Sequence, residues 1–380
     1  MNSGASRTGL TTTLTQNENP RSLSRAQNRN TSVHSTGDTA ALVKIFLSSC
    51  IGPATESAYC AELTRLAGLC QTEDLNFVSA PESADLILVV DIFESDLYRG
   101  LRENPVWQKW PEKSFAYCEA DSPPDFLHGL HSSASKARSR TGRFQACAYP
   151  VHQFCYPNPR PSTAEIAATP KDLLFSFAGR PSHRVRRQLF AQNFDGTDVT
   201  VEDTSAYYHF ESDTKHRSHS QRHYWQLAAR SRYALCPRGA GASTIRIFEM
   251  MEAGIAPVIV SDDWLAPIGA PWEQFALRVP EREIGSIYDK VKAHEHEYRD
   301  RGQLAREAWE QYFSPQNYWT FMLASIRRIQ EHQKLPESAY ATTMPLLALR
   351  AWSRQRRIRA MIELKSTIKK MLPRSIRSMR

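Results

Sequence analysis

Apolar and polar positions fall into two alternating series separated by a proline-rich stretch. The first begins with the apolar run LVKIFLSS at Leu42, which predicts a buried strand. A Gly-Pro turn and a helix over 57–69 follow, in which Tyr59, Leu63, Leu66 and Leu69 share one face. DLILVVDI (85–92) is an unbroken apolar run of the kind a parallel sheet buries on both faces. SFAYCE (114–119) and FQACAY (144–149) predict two more strands, and the polar stretch 121–140 between them reads as mostly loop. The segment YPNPRPSTAEIAATPKD (156–172) carries four prolines and little periodicity, as an interdomain connection would.

The second series predicts strands at 173–179, 198–203, 232–237, 256–262 and 275–280. Helices are expected over 183–192, 221–230 and 244–253, then at 283–297, 302–312 and 315–333. Strands alternating with helices argue for two consecutive α/β domains, 39–160 and 161–335. Residues 1–38, rich in Ser, Thr, Asn and Arg without apolar periodicity, read as a disordered leader. Residues 336–380 read as a basic helical tail.

Composition adds one correction. The 380 residues include 48 Lys+Arg and 40 Asp+Glu, a net charge of +8. Eleven of the basic residues lie in 350–380 against a single acid, Glu363, so the body between leader and tail is mildly acidic. That distribution does not describe a nucleic-acid-binding core. The chain is 41% hydrophobic and has eight Trp, enough core material for folded domains. No run approaches the ~20 apolar residues of a membrane span, and the polar N-terminus shows no hydrophobic signal region. Seven cysteines, without a C-x-x-C pair or metal-ligand spacing, suit reduced, mostly buried thiols in a cytoplasmic protein.

The chemistry concentrates in residues 224–264, YWQLAARSRYALCPRGAGASTIRIFEMMEAGIAPVIVSDDW. A strand ends at Cys236 and enters the loop Pro237-Arg238-Gly239-Ala240-Gly241-Ala242, after which a helix is expected to open at Ser243. Glycines before a helix let backbone approach an anion, and the helix start supplies free N–H groups at a positive dipole end. Arg238 and Arg246 add positive charge. Glu249, three residues after Arg246, shares its helical face. A carboxylate there can accept hydrogen bonds from a sugar's vicinal hydroxyls while the loop holds phosphate. Gly254 would close the helix in the left-handed conformation. The next strand brings Ser261, Asp262 and Asp263 to its carboxyl end, the edge at which open α/β sheets bind ligands.

This string resembles the exostosin-like glycosyltransferase family. The family pattern reads here as YALCPRG (233–239), Ser243, Arg246, Phe248-Glu249 and AGIAPVIVSDDW (253–264). FSFAGRPSHRVRRQL (175–189) and PWEQFALRVPEREIGSI (271–287) are similar to its flanking segments. The N-terminal part is similar only loosely, through CEADSPP (118–124). The resemblance implies a GT-B fold, two Rossmann-like domains facing a cleft with the donor nucleotide in the second. It implies an inverting sugar transfer from a nucleoside-diphosphate donor, UDP-linked, to a glycan or lipid-linked glycan. Carried onto this chain, Glu249 would hold the ribose hydroxyls. Arg238, Gly239, Ser243 and Arg246, with Arg180 or Arg186 and Asp262 nearby, would surround the diphosphate. Basic groups and a helix dipole would stabilise the departing diphosphate without metal or other cofactor. The adjacent acids Asp262 and Asp263 are not read as a metal site.

An inverting transfer needs a general base. Asp121 and Glu119, beyond a strand end of the first domain, are the candidates, with Asp91 and Glu94 as alternatives. His216, His219 and His223 sit in a polar segment and read as a solvated loop and helix start, and His294 and His296 as surface residues. The tail places Ile358, Met361, Ile362 and Ile368 on one helical face among basic residues. That suits either an anionic membrane surface or packing back on the body. The expectation is a cytoplasmic glycosyltransferase, membrane-associated through its tail. A non-catalytic glycan-binding or scaffold protein of the same fold is the alternative.

Overall fold

The computed structural model describes residues 42–92, 98–121, 123, 127–206 and 214–341, and the single positions 346, 349, 353, 356 and 360. The leader, Glu94 and nearly all of the basic tail lie outside the described residues, as does the side chain of His216.

The first half comprises β1 (Val43–Ser49), α1 (Ala58–Leu69), β2 (Leu75–Phe77), β3 (Leu86–Val90), α2 (Arg99–Arg102) and α3 (Pro105–Lys109). It continues with β4 (Ser114–Cys118), β5 (Gly129–His131), β6 (Phe144–Ala146) and α4 (Pro150–Cys155). The second half opens with α5 (Thr163–Ala168), β7 (Leu173–Gly179), α6 (Arg184–Phe190), β8 (Val199–Asp203), α7 (Thr214–Arg230) and β9 (Ser231–Pro237). Then come α8 (Arg246–Glu252), β10 (Ala256–Val260), α9 (Trp272–Phe275), β11 (Leu277–Arg278), α10 (Ile287–Lys292) and α11 (Tyr298–Ala308). Two helices finish the described chain, α12 (Tyr318–His332) and α13 (Glu337–Ala341). Both sheets are parallel, in the orders β2-β1-β3-β4-β5-β6 and β11-β10-β9-β7-β8. The two parallel-sheet α/β halves expected from the sequence are both present.

Period-two burial explains the layers. In β3, Leu88 and Val90 enter one apolar core while Ile87 and Val89 enter another on the opposite face. In β9, Ala234 and Cys236 face one core, and Tyr233 and Leu235 face the other. The core shared by Leu88, Phe115, Cys236, Phe248 and Trp319 is continuous across both halves. Local signals set the helix starts. The Ser57 hydroxyl accepts from Cys60 N at 3.1 Å to cap α1. Ser162 and Glu165 form a reciprocal capping box on α5. Gly254 (φ 71°) closes α8 in the left-handed conformation, as expected. All seven cysteines are free, and Cys60, Cys118, Cys147 and Cys236 are buried.

Several elements depart from the sequence pattern. β5 lies inside the stretch read as loop, because three residues paired on both sides need no long apolar run. The helix expected at 221–230 begins at Thr214, and the one expected at 244–253 is confined to Arg246–Glu252. The strand expected over 275–280 shrinks to Leu277–Arg278 because α9 takes up Trp272–Phe275. α12 packs against the first half, where Trp319 Nε1 donates to Leu63 O at 2.9 Å and the Tyr318 and Tyr117 hydroxyls lie 3.0 Å apart. Among the described residues, no helix is long and apolar enough to cross a membrane.

Candidate active site

The carboxyl ends of β7 and β8 open on a cavity of about 560 Å³, walled by α7 and the start of α8. Glu249 reaches it from α8, although the residue is only 8% exposed. Both carboxylate oxygens are held: Asn158 Nδ2 donates to Oε1 at 2.9 Å and the Tyr224 hydroxyl to Oε2 at 2.7 Å. Arg246, one turn earlier, stacks over Phe177 at 4.4 Å and over Tyr224 at 5.2 Å. Its Nη2 donates to the Ala178 carbonyl and its Nε to the Tyr224 hydroxyl at 3.3 Å. Arg180 and Arg186 line the same space. Four residues singled out from the sequence thus converge on one cavity.

Arg186 is partly committed to structure. Its Nε donates to Arg238 O at 3.1 Å and its Nη2 to Pro237 O at 3.1 Å, which pins the loop that follows β9. Burial, with Arg246 close by, pushes its guanidinium down to about 9. Asp121 opposes that fall as the nearby opposite charge. A Cβ on Gly239 would sit 3.2 Å from Arg186 Nη2, so the loop passes tightly over this side chain.

The remaining predicted residues, Arg238, Gly239, Ser243 and Asp262, do not line this cavity. Arg238 faces Glu281, with Nη1 3.7 Å from Oε1. Asp262 forms a reciprocal pair with Glu281, its Oδ1 accepting from Glu281 N at 3.0 Å while its own N donates to Glu281 Oε1 at 3.2 Å. Ser243 precedes the helix and is buried near the Tyr149 hydroxyl. α8 starts at Arg246, and Ile247 N donates to Thr244 O at 3.2 Å at its entry. Thr244 and Ile245, in the preceding turn, line the cavity ahead of the helical ladder.

The carboxylates from the first half differ. Asp121 is exposed beyond β4 and reaches the second half, where the Gly241 amide hydrogen-bonds to it and Arg186 is close enough to draw its charge. Desolvation raises its carboxyl, and those two groups oppose the rise. Glu119 is engaged three times. It accepts from the Tyr117 hydroxyl at 2.6 Å, Val151 N at 3.1 Å and His152 N at 2.7 Å. Burial nonetheless pushes it up to about 7. Asp91 is buried at φ 56° and accepts from Ser49 and Ser57 hydroxyls, both at 2.6 Å. Asp263 ties the halves together, accepting from the Ser135 hydroxyl at 2.6 Å and Ala137 N at 3.1 Å.

Three groups escaped the sequence reading. Asn158 and Tyr224, which hold Glu249, were not singled out. His219 and His223, read as solvated, line the cavity from α7, and His223 Nε2 lies 2.6 Å from Glu202 Oε2. The i, i+4 spacing of the two histidines was the available signal. Among the described residues, no three His, Cys, Asp or Glu side chains converge as a metal site.

Residues 130–293 match the exostosin GT47 domain. The chain is 27% identical to the Caenorhabditis elegans exostosin-1 homologue over 155 residues, 38% of each chain. It is 29% identical to Drosophila melanogaster exostosin-1 over 129 residues, 33% of this chain and 16% of the relative. These matches span well under half of the relatives' lengths. A solved α1,3-fucosyltransferase with GDP-fucose aligns over 80% of this chain and 95% of its own, at 13% identity and a TM-score of 0.37. The strand–loop–helix of residues 231–252 lies within the matched region, and it is this part of the chain that is similar to the exostosin glycosyltransferases.

Proposed function

We propose that the chain transfers a sugar from a nucleoside-diphosphate donor to a hydroxyl of a glycan or lipid-linked glycan, with inversion at the transferred carbon. The observation that carries this reading is the convergence of Glu249, Arg246, Arg186 and Arg180 on one cavity. In it, Glu249 accepts from the ribose hydroxyls. Arg186, Arg246 and the amides ahead of α8 offset the charge on the departing diphosphate, which is where this chemistry needs stabilisation. These cations supply that role in this reading without a metal, so chelators should leave activity unchanged. UDP is the expected nucleotide.

Asp121 is the proposed general base. It is exposed, lies beside the Gly241 loop, and has a raised carboxyl, whereas Glu119 already accepts from three donors. The eleven basic residues of 350–380 would bring the enzyme to an anionic membrane surface carrying a lipid-linked acceptor.

Thermal-shift titration with UDP, GDP and their sugars tests the donor assignment, since a ligand bound only by the folded chain raises its melting temperature. A shift with one nucleoside diphosphate, lost in Glu249→Ala, supports it. An undiminished shift in the variant removes Glu249 from the ribose site. Glycan binding without any nucleotide response favours the scaffold reading.

A further inference from the structure

The connection between the halves does more than join them. Pro157 O accepts from Gln221 Nε2 at 2.9 Å and Asn158 O from Trp225 Nε1 at 3.3 Å, which fixes the linker to α7. Fixed there, Asn158 lines the cavity and donates through Nδ2 to Glu249 Oε1. Its other amide atom, Oδ1, is buried and has no hydrogen-bond partner among the described residues. A buried carbonyl oxygen without a donor costs stability unless something supplies one.

From this geometry we infer that Asn158 is a donor-site residue, which holds the Glu249 carboxylate and offers Oδ1 to a ribose hydroxyl. The inference rests on the assignment of Glu249 to the ribose. A vicinal diol presents two donors. A carboxylate oxygen and an amide oxygen from two side chains joined by one hydrogen bond can accept one each, while Nδ2 keeps the carboxylate in its rotamer. Tyr224 steadies the second carboxylate oxygen from the opposite side. Donor recognition is thereby shared between the second half and the segment that leads into it.

The test compares UDP with 2′,3′-dideoxyuridine diphosphate, which lacks both hydroxyls, by calorimetric titration of the full chain. Asn158→Ala should weaken UDP binding about tenfold and leave the dideoxy analogue within about twofold. In turnover, the donor KM should rise by a similar factor with kcat nearly unchanged. Asn158→Asp, which sets a second carboxylate against Glu249, should weaken UDP binding at least as much. Asn158→Ser serves if the alanine variant does not fold.

Equal weakening of both nucleotides would assign Asn158 a purely structural role and overturn the inference. So would unchanged UDP binding. Failure of the underlying reading looks different: the wild-type chain would then bind neither nucleotide, or bind both equally.

Discussion

Arg143 and Glu337 form a bidentate ion pair at 2.7 and 2.6 Å, with side chains only 2% and 3% exposed. The pair fastens α13 to the edge of the first sheet, and the Tyr340 ring lies 4.0 Å from the guanidinium. Glu112 reinforces the contact by accepting from Glu337 N and Ser338 N at 3.0 and 2.8 Å. Removing one partner leaves a buried charge uncompensated. Glu337→Ala should cost about 3–5 kcal/mol in denaturant unfolding, and Arg143→Met/Glu337→Leu considerably less. A chain truncated before Pro336 should behave like the single variant.

At Gly241 the loop after β9 passes tightly against the first half. A Cβ there would lie 2.4 Å from Ser133 Oγ and 2.7 Å from Asp121 O. Gly241→Ala should therefore push the loop from its seat, at a cost of about 1–3 kcal/mol in unfolding and a loss of transfer activity. Adding Ser133→Ala should restore only part, since the Asp121 carbonyl stays in the way.

The two carboxylates beyond β4 should separate kinetically. Asp121→Asn should lower kcat by about 10²–10⁴ with the donor affinity retained, as expected on losing a general base. Glu119→Gln should act mainly on stability, because it disturbs the acceptor of the Val151 and His152 amides. Single-turnover rates and melting curves on both variants check the division. Equal kcat losses would contradict it.

His131 gives the fold an acid sensitivity. It is 1% exposed in β5, with the Phe144 ring edge-on at 5.4 Å, and burial pushes its imidazole down to about 3. The unfolded chain takes up a proton near pH 6.5, which the folded chain resists until about pH 3. The contribution is therefore present above pH 6.5 and lost as pH falls through that window. Unfolding free energies measured from pH 7 to 4 should decline more steeply for the wild type than for His131→Gln.

The interior of the fold was legible where apolar runs were long enough to carry it. The run over 85–92 and the YALCP segment became central strands because a parallel sheet buries both faces of such strands. β5 was not legible, since Gly129-Leu130-His131 is made a strand by its neighbours on either side. Arg246 and Glu249 were visible because helical spacing puts them on one face, whereas Arg180 and Arg186 came from the resemblance of the segment 175–189. Asn158 was hidden for the opposite reason: its partners, Trp225 and Glu249, lie 67 and 91 residues away in a segment read as mere connection. The first turns of α7 were hidden by their polarity, because a cavity wall that binds water and ligand needs no apolar stripe.

The short backbone bridge between Ser135 and Trp264 bears on how the cleft can move. Lys136 N donates to Asp263 O at 2.8 Å and Leu265 N to Ala134 O at 3.1 Å, so this is a second tie between the halves, made without a covalent link. The two covalent crossings, at Pro157–Arg160 and at Trp309–Pro315, border one shared hollow of about 340 Å³. The apolar core that runs through both halves and the Gly241–Asp121 contact hold them as well, so the bridge adds a restraint far from the covalent crossings. Twisting of one sheet over the other should first require the Ser135–Trp264 pairing to be broken.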